Sequence, residues 1–367
     1  MNNSRIFELD LFRGLAIFIM ILVDAPPANI YEILQHAQWE GLTIADFAFP
    51  FFVFAMGASA AVSSSRKIIT WSKIFRRAVL LFLIGLIFNE TGYIFAYLFI
   101  KNFTGADFYN SAIEHLRLFG ILQRLALTYA AGMAITKFLT TNKEILSAAF
   151  VFLILSSLGF HVYAAENPFD EVNNISSAVD LFFPSVNHIY TPTGDPEGLY
   201  GTIASTASML FGFFARKILI DNLSSQKKIY QLMIFGVVIL ITGELWSFVD
   251  IIAKKIWTAP FVLLTTGSAS ILIAAFIFLF NITPNIKKFF HPLTALGKNP
   301  LLIFMASNIT VVFLIVIDVW TRIFETLQTF LPNTSCELQA TIYQLIWATL
   351  WIFIAILLNR LKIIVKL

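Results

Sequence analysis

The sequence predicts an all-α polytopic membrane protein, a bundle of about ten transmembrane helices. Three observations predict it. Hydrophobic residues make up 58% of the 367 positions and charged residues only 13%, whereas a soluble domain carries about 25% charged residues. So few charges cannot cover a water-facing surface, and the mean hydropathy of +0.80 agrees. Apolar runs near the roughly 20 residues needed to cross a bilayer recur along the chain. Lys and Arg are sorted between alternate loops rather than scattered.

The spans are expected near residues 11–27, 44–64, 74–89, 117–139, 144–164, 198–219, 228–248, 259–281, 293–319 and 339–361. The first follows Arg5 and Arg13, as a signal peptide would follow its basic start. Glu8 and Asp10 interrupt that start and Asp24-Ala25-Pro26-Pro27 makes a poor cleavage site, so this is read as an uncleaved helix. The third span is short, and Tyr93–Ile100 beside it is apolar but too brief to cross, which makes it interfacial or re-entrant. The fourth carries Gln123-Arg124 about two turns inside. The ninth holds Gly297-Lys298-Asn299 near one end. No fixed-period repeat and no Gly/Ser- or Pro-rich linker divides the chain. One membrane domain, 1–367, is expected, with outer loops near 28–43, 90–116, 165–197, 249–258 and 320–338.

The positive-inside rule orients this bundle. Arg5, Arg66, Lys67, Lys73, Arg76, Arg77, Lys137, Lys143, Arg216, Lys217, Lys227, Lys228, Lys287, Lys288, Arg360, Lys362 and Lys366 fall on one side, 17 of the 25 basic residues. Lys101, Arg117, Lys254, Lys255 and Arg322 fall on the other; Arg13, Arg124 and Lys298 lie within helices. Both termini are therefore expected in the cytoplasm. Segment 165–197 contains six carboxylates and no Lys or Arg, as an outer loop should. The net charge of +3 and pI near 8.8 reflect this anchoring and call for no nucleic-acid partner; the expected partner is the lipid bilayer. A single cysteine, Cys336, excludes an internal disulfide.

Ionisable groups inside a bilayer cost several kcal/mol and are functional candidates. Asp10 and Arg13, three residues apart, share one helical face and can pair there. A buried Arg124 must meet a carboxylate, a phosphate or a wet cavity, and Arg124 with Lys298 in a cytoplasmic vestibule would suit a phosphorylated ligand. Between the first two spans, Asp24, His36, Glu40 and Asp46 cluster with no cation nearby in sequence. A His flanked by carboxylates can serve as base or nucleophile. An exposed loop histidine with no role is the plain alternative. His115, His161, His188 and His291 show no comparable setting. No His or Cys pair has a ligand spacing backed by a third donor, so no metal is expected. There is no Gly-x-Ser-x-Gly elbow and no P-loop.

Six motifs in order resemble the heparan-α-glucosaminide N-acetyltransferase family and its bacterial homologues. They are Leu9-Asp10-Leu-Phe-Arg13-Gly14; the long block His36-Ala-Gln-Trp39-Glu-Gly41-Leu-Thr43-Ile-Ala-Asp46-Phe-Ala-Phe-Pro50 through Gly57; Gly120-Ile-Leu-Gln123-Arg124-Leu; Asp195-Pro196-Glu197-Gly198-Leu-Tyr-Gly201-Thr202; Lys255-Ile-Trp257-Thr258; and Gly297-Lys-Asn299. They run from residue 9 to about 307. The resemblance implies a transmembrane acyltransferase-like bundle that uses cytoplasmic acetyl-CoA to acetylate a glucosamine-type amine, or a glycan ending in one, on the outer side. A bacterial inner (plasma) membrane is the expected location, and a homodimer is compatible with the pattern.

On that basis His36 is the expected nucleophile or base, with Asp24 and Asp46 completing the catalytic group. Arg13, Gln123, Arg124, Lys298 and Asn299 are expected to bind acetyl-CoA, and Trp39, Glu197, Lys255 and Trp257 the acceptor. Asp46 is expected to hold the protonated amine or sugar hydroxyls, and the two tryptophans to stack on a pyranose. The chain departs from the family at Asp24, where the family usually has Asn, and at Asp250-Ile-Ile-Ala-Lys254-Lys255, where Pro-Ile-Asn-Lys is usual. Both departures are expected to face the acceptor. The rival class is a proton-coupled sugar or amino-sugar permease, but the sequence shows neither half-to-half symmetry nor paired interrupted helices.

Overall fold

The computed structural model describes residues 6–66, 69–139, 141–221 and 223–365, and of residues 62–66 the backbone alone. Arg5, Lys67 and Lys366 and the Arg66 side chain, all used in the charge split, lie outside the described residues. Fifteen α-helices appear: α1 Phe7–Val23, α2 Ala48–Arg66, α3 Trp71–Asn89, α4 Thr91–Phe99, α5 Gly105–Phe108, α6 Ile121–Phe138, α7 Asn142–Tyr163, α8 Ile175–Phe182, α9 Thr202–Ile220, α10 Ser225–Trp246, α11 Ala259–Ile282, α12 Lys287–Lys298, α13 Pro300–Val316, α14 Val319–Phe330 and α15 Cys336–Arg360. No strand is present among the described residues. Helices satisfy their own backbone groups, which a bilayer demands.

Each of the ten expected spans falls on helix, but the count by length and apolarity differs. Among the described residues six helices (the one beginning at Ile44 and ending in α2, then α7, α9, α10, α11 and α15) are long and apolar enough to cross a membrane; up to eight spans result if each of two bent pairs is one crossing. The pairs are α3 with α4, bent by 44°, and the 284–298 stretch with α13, bent by 78°. Two expected spans fall short for physical reasons. Helix α1 has 17 residues and carries Glu8, Asp10 and Arg13, and α6 contains Gln123, Arg124 and Lys137. The polar groups that mark them as functional candidates also lower their apolarity.

Burial separates the crossing helices into two groups. The windows in α2, α9 and α11 are 72%, 78% and 61% buried, against 33%, 28% and 28% for α7, α10 and α15. The first three form the inner bundle, where Phe54, Phe211 and Phe261 are almost fully enclosed. The outer three present Leu, Ile, Val and Phe to the surroundings, as lipid-facing helices do. Glycines set the close crossings. A Cβ on Gly57 would strike the Met209 carbonyl, and one on Gly212 the Phe54 carbonyl, so α2 and α9 pack backbone to backbone. Gly14 and Gly297 do the same for α1 against α12. That contact brings Arg13 and Lys298 to one level of the molecule, below the far end of α1.

Candidate active site

The C-terminal end of α1 and the N-terminal ends of α2, α6 and α11 converge on one cavity of about 360 Å³. Its wall includes Asp24, His36, Arg117, Glu197, Lys254, Lys255 and Trp257. Five residues singled out in the sequence (Asp24, His36, Glu197, Lys255 and Trp257) therefore meet here, from four separate stretches of chain.

Asp46 fixes His36 from behind. It sits in a 3-10 turn, Ile44–Phe47, that leads into α2. Its Oδ2 accepts the backbone N–H groups of Ala37 and Thr43, each at 3.1 Å, and the Thr43 hydroxyl at 3.0 Å. Its Oδ1 lies 2.8 Å from His36 Nδ1. A carboxylate only accepts, so in the tautomer that donates to Asp46 the hydrogen sits on Nδ1 and Nε2 keeps its lone pair, toward which the Lys254 ammonium can donate. The His36 side chain is half exposed while the Asp46 side chain is wholly enclosed. With both oxygens engaged and no access, Asp46 cannot hold the amine or sugar hydroxyls as expected; it orients the imidazole instead.

Lys254 completes this centre. Its Nζ lies 2.8 Å from His36 Nδ1, 3.3 Å from Nε2 and 3.3 Å from Asp46 Oδ1. Burial pushes its ammonium below the ordinary lysine range, against the opposing pull of Asp46, Glu197 and Asp24. Asp24 stands across the cavity with Asn308 beside it.

A second charge group lies on the cavity wall. Arg117 binds Asp195 through two bonds, at 2.9 and 2.6 Å, and Glu197 at 2.6 Å, with its guanidinium 4.5 Å from the Tyr190 ring centre. Those carboxylates raise the Arg117 guanidinium further above its ordinary range, in spite of burial. Asp195 is anchored in turn by Asp180, which accepts the N–H groups of Asp195 and Leu199. Burial raises the Asp180 carboxyl to about 6. Trp39 borders the cavity next door, its indole N–H donating to Phe169 at 3.0 Å and Lys255 5.8 Å from its ring.

The expected acetyl-CoA residues divide. Arg13 pairs with Asp10 at 3.1 Å and with Ser59, and Lys298 donates to Asn359 at 2.9 Å. Asn299 spends its amide on the Ile363 carbonyl and the Val365 N–H, stapling the α12–α13 bend to the segment after α15. Gln123 is enclosed between α3 and α6, against Gly85 and Gly120. Arg124 is not brought to Arg13 and Lys298. Its Nη2 donates to the Gly198 carbonyl at 2.6 Å and its guanidinium faces Trp257 at 5.3 Å, so it belongs to the His36 end. The cytoplasmic placement expected for it is corrected: the loop before α9 folds back over the first turns of α6. Trp257, 1% exposed, packs edge-on against Phe49 and Phe261. Enclosed in this way and with Arg124 over its ring, it has no open face for stacking.

Sequence reasoning missed Lys254, Arg117, Asp195 and Asp180. Two signals were present, the Lys254-Lys255 pair, whose first member reaches His36, and the motif that Asp195 opens. It also passed over His161, which bonds buried Asp250 at 2.9 Å.

Fold and site together define an integral membrane helical bundle with a carboxylate-held imidazole on the wall of an open cavity. The chain belongs to the heparan-alpha-glucosaminide N-acetyltransferase catalytic family, which it matches over residues 5–241. It is similar to the heparan-alpha-glucosaminide N-acetyltransferase of Homo sapiens, 34% identical over 132 residues, which are 34% of this chain and 18% of that protein. The protein of the same name from Mus musculus is 33% identical over 135 residues, 35% of this chain and 18% of its own. Each match covers less than a fifth of the relative's length.

Proposed function

We propose that the protein is a transmembrane acetyltransferase that takes the acetyl group of cytoplasmic acetyl-CoA and transfers it to the amine of a glucosamine-type sugar on the outer side. The observation that carries this reading is the His36–Asp46 pair on the cavity wall. An imidazole held by a buried carboxylate can take a proton, or attack a carbonyl, at Nε2 and be stabilised as imidazolium. The family supports the acetyl donor and the amino-sugar acceptor.

His36 acts in one of two ways. In direct transfer, Nε2 removes the amine's proton as the amine attacks the thioester carbonyl. In double displacement, Nε2 attacks first and the amine then displaces acetyl from the ring. Asp24, the chain's acidic replacement for the family's usual Asn, faces the same space and suits an acceptor ammonium. Arg13 and Lys298 would hold the nucleotide phosphates. Arg13 lies about eleven residues down α1 from Asp24, about 16 Å at 1.5 Å per residue, so a ligand anchored there must reach along the helix to His36. Outer and cytoplasmic sides follow the charge split of the loops.

The test is transfer of labelled acetyl from acetyl-CoA to glucosamine by purified protein, with thermal shift against acetyl-CoA and free CoA. Acetylated product together with stabilisation by both CoA forms is expected. No transfer, with glucosamine uptake into proteoliposomes that is independent of acetyl-CoA, would overturn the reading in favour of a permease.

A further inference from the structure

Lys254 is placed for a role that neither the sequence motifs nor the family resemblance assigned. Its side chain is 18% exposed and its Nζ lies against the His36 ring, 2.8 Å from Nδ1 and 3.3 Å from Nε2. Neighbouring Lys255 turns away to Glu171 at 3.5 Å, so the two lysines do not substitute for one another. The backbone beneath Lys254 is held on every side. Ala253 donates to the Thr258 hydroxyl at 3.0 Å, and Thr258 and Trp257 donate back to Ala253 and Lys254 at 3.2 and 3.1 Å. Gly41 donates to Ile252 at 2.8 Å. A flexible lysine stem thus starts from a fixed point beside the reacting nitrogen.

We propose that the Lys254 ammonium is a catalytic cation that receives the oxyanion formed at the acetyl carbonyl beside His36 Nε2. This rests on the acetyltransferase reading above and deepens it. In direct transfer, a nitrogen–carbon bond forms from the amine to the carbonyl, and the carbonyl π pair moves onto oxygen, facing Lys254. Nε2 takes the amine's proton. Collapse of the oxyanion breaks the carbon–sulfur bond, the electron pair leaves on sulfur, and the imidazolium returns the proton to give the free thiol. In double displacement Nε2 makes the first bond, and the same carbonyl oxygen bears the charge in both halves. Either way the oxygen develops within a few ångströms of Nε2, where Nζ already lies. Preorganised charge of this kind is among the largest contributions to catalysis.

The ammonium faces His36 and Asp46 from the loop after α1, Asp24 from the end of α1 and Glu197 from the loop before α9, with Arg117 and Lys255 on the same cavity wall. Asp46 Oδ1 is shared with His36, so Lys254 can shift toward an oxyanion without leaving a carboxylate unpaired. Burial lowers its affinity for the proton, so loss of the ammonium should limit activity at alkaline pH.

The experiment compares Lys254→Met, Lys254→Arg and His36→Ala in the full-length protein, measuring kcat, KM for acetyl-CoA and glucosamine, and pH profiles. Lys254→Met should lower kcat by about 10²–10³-fold, with both KM values within about threefold of wild type. Lys254→Arg should keep more activity and move the alkaline limb upward, because guanidinium stays charged. Met at wild-type kcat, a loss confined to KM, or an alkaline limb unmoved in the Arg variant would overturn the proposal. If the Met variant fails to fold, the Arg profile decides. An inactive His36→Ala beside a fully active Lys254→Met would remove this inference alone; wild-type protein without any transfer would remove the acetyltransferase reading beneath it.

Discussion

The backbone N–H of Gly41 donates to the carbonyl of Ile252 at 2.8 Å. This bond joins the loop that carries His36 to the loop that carries Lys254, two residues 218 positions apart in the chain. Gly41 holds φ of +120°, in the region that disfavours side chains, although an added Cβ would meet only Ala37 at 3.8 Å.

Gly41→Ala should therefore strain the backbone rather than crowd it, at about 1–3 kcal/mol. The melting temperature should fall modestly while kcat falls severely, because the loop pairing sets the His36–Lys254 distance. Thermal melts alongside transfer assays check this; a stability loss with unchanged kcat would detach the two loops' functions.

Asp46→Asn should lower kcat by about 10²–10⁴-fold. The carboxylate uses both oxygens, one toward Nδ1 and one toward three donors, so an amide must turn an NH2 toward a donor on one side or the other. Acetyl-CoA stabilisation in a thermal-shift assay should be retained, since the nucleotide end is proposed to rest on Arg13 and Lys298.

The bundle was largely legible in the sequence because lipid selects for apolar length and loops sort charge, and both are local properties. Each expected span lands on helix. What the sequence could not supply was which side chains meet. His36 and Asp46 are ten residues apart and within reach of a single loop, so their partnership was foreseeable in part. Lys254 approaches from a distant loop with no periodic relation to His36. Arg124 was readable as a buried cation needing a partner, but its partner is the Gly198 carbonyl of a long loop whose course no pattern fixes. Asn299 and Trp257 carry family motifs yet are occupied by structural contacts, which only packing reveals.

Arg117→Met should destabilise the protein by about 3 kcal/mol, the lower end of the range for breaking a buried pair, since the guanidinium keeps some water contact. Asp195 is wholly enclosed and would be left charged beside Glu197. Thermal melts with and without a Lys replacement, which restores charge but not the paired geometry, should rank wild type above Lys and Lys above Met.

Asp180 gives stability a pH signature. Its folded-state carboxyl titrates at about 6, above the roughly 3.9 of an unfolded aspartate, so the folded protein binds the proton more tightly. The contribution is full below the unfolded value and lost as pH rises through 6, a fall of up to about 3 kcal/mol. Melting temperature plotted across pH 4–7 should show this decline in wild type and lose it in Asp180→Asn; identical slopes would place the titration elsewhere.

His36 is proposed to carry the chemistry while acetyl-CoA is anchored elsewhere. The most direct measurement is acetyl transfer to glucosamine by His36→Ala, run beside calorimetric binding of acetyl-CoA. Transfer should fall by at least about 10²-fold, with acetyl-CoA affinity almost unchanged and His115→Ala, whose exposed ring hydrogen-bonds the Asn110 carbonyl, behaving as wild type. Near-normal transfer by His36→Ala would contradict the account.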